Sequence, residues 1–382
     1  MGILKRILQG ILVIIVLLIM IGTVQWFRTG NADLPAGTET AKRLTPGPYE
    51  PAVKSYQFVD TSRPTMENGE YPGADDRTLE TIIWYPVGAK GKLPLTVYSH
   101  GFIGNREGGN FMARYLASHG YVVVSANFPI TTTAAPGGPN LEDVVNQPGD
   151  VSFLIDQALA LVDKPFEGSI DETKIGLFGL SLGGLTTTLA AFHPEWADPR
   201  TKAAISIAGP ANIFSKIFFD HHDVPFLMIG GTEDTIVDYE ANALPIPALI
   251  RDGGLLTFIG GTHLGFDEFS MTGFRLLGNM DQLVCAAIRW QADEAQGGNP
   301  FSELLGTEAQ GLLQTDELPM CRVDGEAMRY ADQQALTKVA VHAFFESQFA
   351  DSLESRLAHH KYLTETLPAE ISTVTYQAAQ RY

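Results

Sequence analysis

One serine lies in a sharp turn where its hydroxyl could act as a nucleophile. The turn spans residues 179–183, follows the apolar run 174–178 and opens onto the helix-like run 185–192. In a strand–turn–helix of this kind the serine is strained at the apex, and flanking glycines let the helix pass close to the strand. The pattern predicts a nucleophile elbow with Ser181 at its apex. The alternative interpretation is an ordinary glycine-rich turn.

An acid and a histidine follow the serine in the order that an α/β-hydrolase requires. Asp234 comes after the strand-like run 224–229, and His263 comes after the strand-like run 255–259. An imidazole activates a serine hydroxyl by removing its proton during attack, and an aspartate holds the imidazole in the required tautomer. The order predicts a triad of Ser181, His263 and Asp234 at the carboxyl edge of a sheet.

Two neighbouring residues compete with Asp234 for the role of the acid. Glu233 is adjacent and Asp238 lies in the same loop, so a solvated acidic loop is the alternative interpretation. We choose Asp234 because it is the first aspartate after the strand and its glycines.

A second loop supplies hydrogen-bond donors for a negatively charged oxygen. The strand-like run 95–99 leads into His100, Gly101 and Phe102. In the hydrolase arrangement the N–H of the residue after the nucleophile, here Leu182, pairs with an N–H from this loop. We assign the second donor of this oxyanion hole to Phe102.

Apolar side chains beside the nucleophile would line a substrate pocket. We predict that Phe102, Ile103 and Phe266 supply this lining. The loop 129–148 follows the carboxyl end of a strand, where ligands bind in such sheets, so we expect it to wall the pocket. The alternative is an ordinary flexible loop.

The other histidines are assigned structural or solvated roles. His100 is expected to order its loop by hydrogen bonding. His221 and His222 lie between two aspartates, but adjacent residues point in different directions and no third ligand at helical spacing accompanies them. A solvated loop is therefore favoured over a metal site there, and no metal or cofactor is predicted. His119 and His193 are likewise interpreted as structural or solvated, and His342 as a residue on a helix face.

Four segments around these residues share a pattern with a known group of enzymes. They are residues 98–106, 116–124, 179–184 and 257–263, with Phe266 and Phe269 beyond them. Together they resemble the platelet-activating-factor acetylhydrolases and the related dienelactone-hydrolase-like serine esterases. The likeness covers roughly residues 50–290. It implies an α/β-hydrolase.

Two departures limit what this resemblance implies. In the acetylhydrolases the acid follows the strand directly after the elbow helix, but the matching residues 203–210 contain no acid. Residues 229–236 instead resemble the acid loop of bacterial cutinase-like polyester hydrolases and of dienelactone hydrolases. The latter carry a cysteine nucleophile, whereas this chain has Ser181. The resemblance therefore implies a serine esterase or lipase without fixing its substrate.

The N-terminal residues predict a membrane segment. An almost continuous apolar run covers residues 7–24, after Lys5 and Arg6 and before Trp26 and Phe27. The run is long enough to span a bilayer, which takes about 17–25 residues. We predict an uncleaved signal anchor over residues 1–28 that leaves the catalytic domain outside the cytoplasm, in the periplasm or extracellular space. The alternative is a cleaved signal peptide and a secreted protein.

Strand-like and helix-like runs alternate along the rest of the chain. This alternation predicts an α/β fold with a doubly wound, mostly parallel sheet flanked by helices. We divide the chain into a flexible tether over 29–51, a catalytic core over 52–292, an excursion over 293–334 and a C-terminal helical segment over 335–382 that completes the domain.

Charge and cysteine content restrict the partners and the compartment. The chain of 382 residues carries a formal net charge of −18, which argues against nucleic acid and anionic membrane surfaces as partners. Its two cysteines, Cys285 and Cys321, could form one disulfide or remain two buried thiols, because spacing alone does not establish proximity. The oligomeric state is not predicted.

The sequence thus predicts a membrane-anchored serine hydrolase that cleaves small-molecule or lipid esters through an acyl-enzyme. A short-chain esterase, an acetylhydrolase and a lipase-like enzyme all fit the motif. Polyester hydrolase, thioesterase, peptidase and perhydrolase activities are alternatives on the same scaffold, because function belongs to the pocket. A non-catalytic binding scaffold is the alternative from another functional class.

Overall fold

The computed structural model describes residues 32–162, 164–268, 281–282, 284–285, 301–315, 319, 321 and 325–380. None of the helices within these ranges is long and apolar enough to cross a membrane. The predicted anchor, residues 1–28, lies outside the described residues, as do Phe269 and part of the predicted excursion.

Strands of the described chain form one mixed sheet in the order β1-β2-β4-β3-β5-β6-β7-β8-β9. Strands β3 to β8 are parallel, whereas β1, β2 and β9 pair antiparallel with their neighbours. The predicted parallel sheet is confirmed in its centre. The strands are β1 Pro51–Asp60, β2 Arg77–Pro86, β3 Lys92–Ser99, β4 Val122–Asn127, β5 Ser169–Leu180, β6 Ala203–Ile207, β7 Phe226–Gly231, β8 Gly253–Phe258 and β9 Val374–Ala378.

Helices connect these strands and extend the chain beyond β8. The α-helices are α1 Glu39–Arg43, α2 Asn110–Ser118, α3 Gln147–Ala160, α4 Leu182–Phe192, α5 Lys216–Phe219, α6 Tyr239–Asn242, α7 Ile246–Leu249, α8 Phe301–Leu304, α9 Tyr330–Phe349, α10 Leu353–Lys361 and α11 Leu367–Glu370. Short 3₁₀ helices cover Leu141–Asn146, Leu264–Phe266 and Glu308–Gln310, and a π-helical turn covers Tyr362–Thr366.

Hydrophobic clusters cover both faces of the sheet. Phe178 of β5 packs in the cluster that contains residues of α2 and α9, whereas the preceding Leu177 packs with residues of α3. This alternation follows from the strand geometry, in which successive side chains point to opposite faces. Because both faces are covered, the loops at the carboxyl edge of the parallel strands remain as the place for a site.

Part of the predicted flexible tether, residues 29–51, is folded against the C-terminal helices. Helix α1 lies within it, and Thr40 is completely buried. The N–H and the hydroxyl of Thr40 donate to the Glu370 carboxylate at 2.8 and 2.7 Å. Sequence patterning misses this contact because the acceptor of the helix N–H groups lies 330 residues away.

The described part of the excursion also packs against the domain. Phe301, Leu305 and Leu312 are buried in the cluster that contains α4. Cys285 and Cys321 form a disulfide, so of the two alternatives the bridged state is the one in the structure.

Candidate active site

Ser181 occupies the turn between β5 and α4. Its φ of 56° and ψ of −121° lie outside the regions that non-glycine residues ordinarily adopt. The N–H of Ser181 donates to the carbonyl oxygen of Ile207 at 2.8 Å, which ties the turn to the end of β6. The serine is half-buried at this strained apex.

Glycines let the strand ends and the elbow helix approach each other. A β-carbon on Gly183 would clash with the carbonyl oxygen of Ser99. A β-carbon on Gly101 would lie 3.3 Å from the β-carbon of Ser181. The loop after β3 therefore passes directly beside the serine.

Asp234 and His263 meet on the loops that follow β7 and β8. The Nδ1 atom of His263 lies 2.7 Å from Oδ2 of Asp234, and both side chains are buried. The other carboxylate oxygen of Asp234 accepts the N–H groups of Ile236 and Val237 at 3.0 and 2.8 Å. These bonds fix the carboxylate and leave Oδ2 for the imidazole.

The surroundings of His263 raise its pKa above the ordinary value. Burial alone would lower the pKa, because it disfavours the charged imidazolium. The charge and hydrogen bond of Asp234, with the charges of Asp281 and Asp267, outweigh burial. The imidazole is therefore a stronger base than a free histidine.

Asp238, the competing aspartate of the same loop, has a different role. Its side chain caps α6 by accepting the N–H of Ala241 at 2.8 Å. It is buried rather than solvated. Of the two aspartates, Asp234 is the one hydrogen bonded to His263.

His100 is hydrogen bonded within the loop after β3. Its Nδ1 atom lies 2.7 Å from the carbonyl oxygen of Gly101, and its Nε2 atom accepts the N–H of Phe128 at 3.1 Å. Burial lowers the pKa of His100 to about 4, although the bond to Gly101 acts in the opposite direction. The neutral imidazole thus orders this loop.

The two N–H groups predicted to form the oxyanion hole are not engaged by the protein itself. Within the described part of the chain, the N–H groups of Phe102 and Leu182 donate to no protein atom. The N–H of Ile103, in contrast, donates to the carbonyl oxygen of Thr131 at 2.9 Å. Both predicted donors are therefore unused by the described part of the protein.

The predicted pocket residues differ in exposure. Phe102 and Ile103 are 37% and 50% exposed, so both present apolar surface beside the elbow. Phe266 has no exposed surface and packs on Phe258 with ring centroids 5.8 Å apart. Its predicted pocket position is therefore corrected to a core position, because the 3₁₀ turn after His263 directs it inward.

Side-chain hydrogen bonds hold the loop 129–148 to the elbow helix. Gln147 donates to Thr131 Oγ1 at 2.8 Å and accepts the hydroxyl of Thr186, a residue of α4. Thr131 in turn accepts from Ile103, so the loop supports the segment that carries the predicted oxyanion donor. These contacts favour a structured wall over an ordinary flexible loop.

The sequence-based analysis missed Asp281. Its two carboxylate oxygens accept the N–H of His263 at 2.5 Å and of Leu264 at 3.0 Å, and the side chain is completely buried. An aspartate at the head of an apolar run was the available signal.

Two of the other histidines, His193 and His221, contact residues outside this arrangement. His193 stacks on Trp196 with ring centroids 3.8 Å apart, and His221 Nε2 lies 3.2 Å from the Gln310 carbonyl oxygen. No group of three potential metal ligands occurs among the described residues.

Comparisons with known proteins match the chain to a family model and to solved structures. The PET hydrolase-like family model, PETase, matches residues 78–266. The solved structure of a ferulic acid esterase from Streptomyces cinnamoneus is similar at a TM-score of 0.52 and 20% sequence identity, over 90% of this chain and 100% of that chain. At this identity the structural likeness shows the fold alone. No curated protein matches the chain significantly.

These matches confirm the resemblance to α/β-hydrolase serine esterases and the α/β-hydrolase fold. They give no support to the narrower likeness to the platelet-activating-factor acetylhydrolases. The family match begins in β2 and ends at Phe266, so it contains the elbow, the acid loop and the histidine loop.

Proposed function

We propose that this α/β-hydrolase, whose PET hydrolase-like domain indicates a carboxylic ester hydrolase, works through Ser181, His263 and Asp234. The observation that carries the proposal is the 2.7 Å hydrogen bond between His263 and the buried Asp234, on loops at the same sheet edge as the strained Ser181. A nucleophile, a base and an orienting acid are the groups that acyl transfer requires.

In the first half of the reaction, Ser181 Oγ attacks the ester carbonyl carbon while His263 Nε2 accepts the hydroxyl proton. Asp234 keeps the proton of the other ring nitrogen, Nδ1, in place and stabilises the imidazolium. The N–H groups of Phe102 and Leu182 bind the oxyanion, and losing one such donor typically costs about 10²-fold or more in turnover. The imidazolium then protonates the leaving alcohol, which leaves an acyl-enzyme.

In the second half, water replaces the alcohol. His263 accepts a proton from the water as its oxygen attacks the acyl carbon, and then returns a proton to Ser181 Oγ as the carboxylic acid leaves. The cycle consumes one ester and one water and needs no cofactor.

The surface beside Ser181 supports a proposal for the substrate class. Phe102 and Ile103 expose apolar side chains there, which suits a small-molecule or lipid ester with an apolar acyl or alcohol group. A polyester is a second candidate, supported by the PET hydrolase-like match and by the exposure of these two side chains, which a bulky substrate could reach.

We also propose that residues 1–28 anchor the enzyme in a membrane with the catalytic domain outside the cytoplasm. The apolar run 7–24 after Lys5 and Arg6 supports this location. The Cys285–Cys321 disulfide supports an oxidising compartment. In intact cells or spheroplasts, added protease should digest the catalytic domain, and alkaline carbonate should not extract the protein. Protection of the domain, or its release by carbonate, would contradict the anchored topology.

The catalytic proposal is tested with p-nitrophenyl esters from acetyl to long acyl chains. Ser181→Ala in the full-length chain should abolish turnover, whereas Ser169→Ala, an exposed serine at the opposite end of β5, should leave it unchanged. The preferred chain length distinguishes a short-chain esterase from a lipase-like enzyme. Turnover retained in Ser181→Ala would contradict the proposal. Absence of Ser181-dependent turnover on every ester would favour a peptidase or a non-catalytic scaffold.

A further inference from the structure

We propose that Asp281 is a positioning residue that holds the backbone of His263 so that its imidazole meets Asp234. The inference rests on the proposed function, in which His263 is the base. Asp281 accepts the main-chain N–H of His263, so it acts on the backbone of the histidine.

The carboxylate of Asp281 binds two consecutive N–H groups. Oδ2 accepts from His263 at 2.5 Å, and Oδ1 accepts from Leu264 at 3.0 Å. These N–H groups belong to the start of the 3₁₀ turn Leu264–Phe266, where no preceding carbonyl satisfies them. Asp281 therefore caps the turn from 18 residues away and fixes the direction in which the His263 side chain leaves the backbone.

His263 is thus held at two points by two carboxylates. Asp281 binds its main-chain N–H, and Asp234 binds its ring nitrogen Nδ1. Hydrogen bonds between N–H groups and a buried carboxylate are stronger than those between neutral partners. A base must be placed within tenths of an ångström of its working geometry, so loss of either point should affect turnover.

The chain around Asp281 also contacts the loop that carries Asp234. Cys285, four residues on, is bridged to Cys321. The N–H of Cys321 donates to the carbonyl oxygen of Thr235, and Cys285 Sγ lies 3.2 Å from the same oxygen. Thr235 directly follows Asp234. Asp281 therefore contacts the histidine loop, and Cys285, four residues on, contacts the acid loop.

The negative charge of Asp281 also affects the pKa of His263. The carboxylate of Asp281 contributes to the raised pKa of His263, together with Asp234 and Asp267. Burial and the nearby Asp234 raise the pKa of Asp281 to about 6, while His263 and the two bound N–H groups act in the opposite direction. Removing this charge should lower the pKa of His263. The acid limb of the pH–rate profile should then move to lower pH.

The test compares Asp281→Asn with Asp171→Asn in the full-length enzyme. Asparagine keeps one acceptor oxygen but turns an NH₂ group toward the second backbone N–H, so the cap is lost. Asp171 is a buried aspartate that also accepts a backbone N–H, from Thr173 at 3.1 Å, and serves as a matched control in β5. We measure kcat, KM, the pH dependence of kcat/KM and thermal stability on a p-nitrophenyl ester.

For Asp281→Asn we expect a fall in plateau kcat of about 10-fold or more, as for misplacement of a catalytic group, with a smaller change in KM. The acid limb should move to lower pH. Asp171→Asn should keep the wild-type kcat and acid limb. A folded Asp281→Asn enzyme with wild-type plateau kcat and acid limb would overturn the proposal, as would a fall in kcat with no shift of the acid limb.

Asp281→Glu replaces the asparagine variant where that variant fails to fold. It keeps the charge but displaces the carboxylate, so kcat should fall while the acid limb stays at its wild-type pH. Wild-type kcat in Asp281→Glu would overturn the proposal. Failure of the proposed function is recognised separately, because it would show as hydrolysis that survives Ser181→Ala.

Discussion

Asp234 and His263 are 29 residues apart in the chain, yet Oδ2 of the aspartate lies 2.7 Å from Nδ1 of the histidine. The bond joins the loops after β7 and β8, which are neighbours in the sheet. Parallel pairing of these strands brings their carboxyl ends together, so the loops that follow them lie side by side.

Replacing Asp234 should lower both turnover and the pKa of His263. In Asp234→Asn the imidazole loses its charge partner and its tautomer control, so kcat should fall by about 10³–10⁴-fold. Because Asp234 raises the pKa of His263, its removal should move the acid limb of kcat/KM to lower pH. Asp238→Asn is the control from the same loop. An unchanged acid limb in Asp234→Asn would show that Asp234 is not the partner of His263.

Removing the disulfide should affect activity as well as stability. The bridge joins residues 36 positions apart, and losing it should lower the free energy of unfolding by about 2–4 kcal/mol. In Cys285→Ser/Cys321→Ser the contacts with Thr235 should loosen, and kcat should fall at temperatures where the variant stays folded. Chemical denaturation and initial rates measure the two effects, and dithiothreitol should mimic them only in the wild type. Wild-type kcat in the folded double variant would contradict this link to the acid loop.

A buried histidine cluster should make the fold acid-sensitive. His342 contacts His119 and His359 with ring centroids 4.2 and 5.7 Å apart, near Arg43. Burial and these positive neighbours hold the pKa of His342 well below 6.5, and burial with Arg43 lowers that of His359 to about 4. The folded state therefore binds fewer protons than the unfolded chain below pH 6.5.

The contribution of this cluster to the free energy of unfolding should be fully present above pH 6.5. It should decline as the pH falls toward 4. His342→Phe keeps an aromatic ring and removes the buried titrating group. Its unfolding free energy, measured by urea denaturation across this range, should fall less steeply with decreasing pH than that of the wild type. Equal slopes would rule out His342 as a source of the acid sensitivity.

A buried arginine should contribute strongly to the stability of the fold. Arg77 is completely buried and binds Asp143 and Asp150 at 2.6 to 3.0 Å. Arg77→Ala would leave two buried carboxylates without this partner, at a cost of about 3–5 kcal/mol in unfolding free energy. Arg251→Ala breaks the exposed pair with Asp220 and should cost about 0–1 kcal/mol. Similar costs for the two variants, by denaturation at neutral pH, would argue against a buried network.

The catalytic candidates were predictable because their signals are local. Ser181, Asp234 and His263 each follow an apolar strand within a few residues, and glycines mark each turn. The strand–turn–helix order then places them at one edge of the sheet. Asp281 stands at the head of an apolar run, and this position alone does not indicate a role in the site. Its role depends on the tertiary structure, which brings its carboxylate to the N–H groups of His263 and Leu264.

Exposure and long-range contacts account for the other differences. Strand β1 was not predicted because polar residues interrupt its apolar ones and most of it is exposed or half-buried at the sheet edge. Helix α1 depends on Glu370 as a distant acceptor. Phe266 was predicted in the pocket because it follows His263 closely, but the 3₁₀ turn between them directs it to the core.

The most direct test of the central claim is to identify the residue that a serine-reactive phosphonate labels in the full-length enzyme. The labelled peptide should contain Ser181 modified at one label per chain, with complete loss of esterase activity, and Ser181→Ala should take up no label. Label on another residue, or esterase activity that survives full labelling of Ser181, would contradict the assignment of Ser181 as the nucleophile.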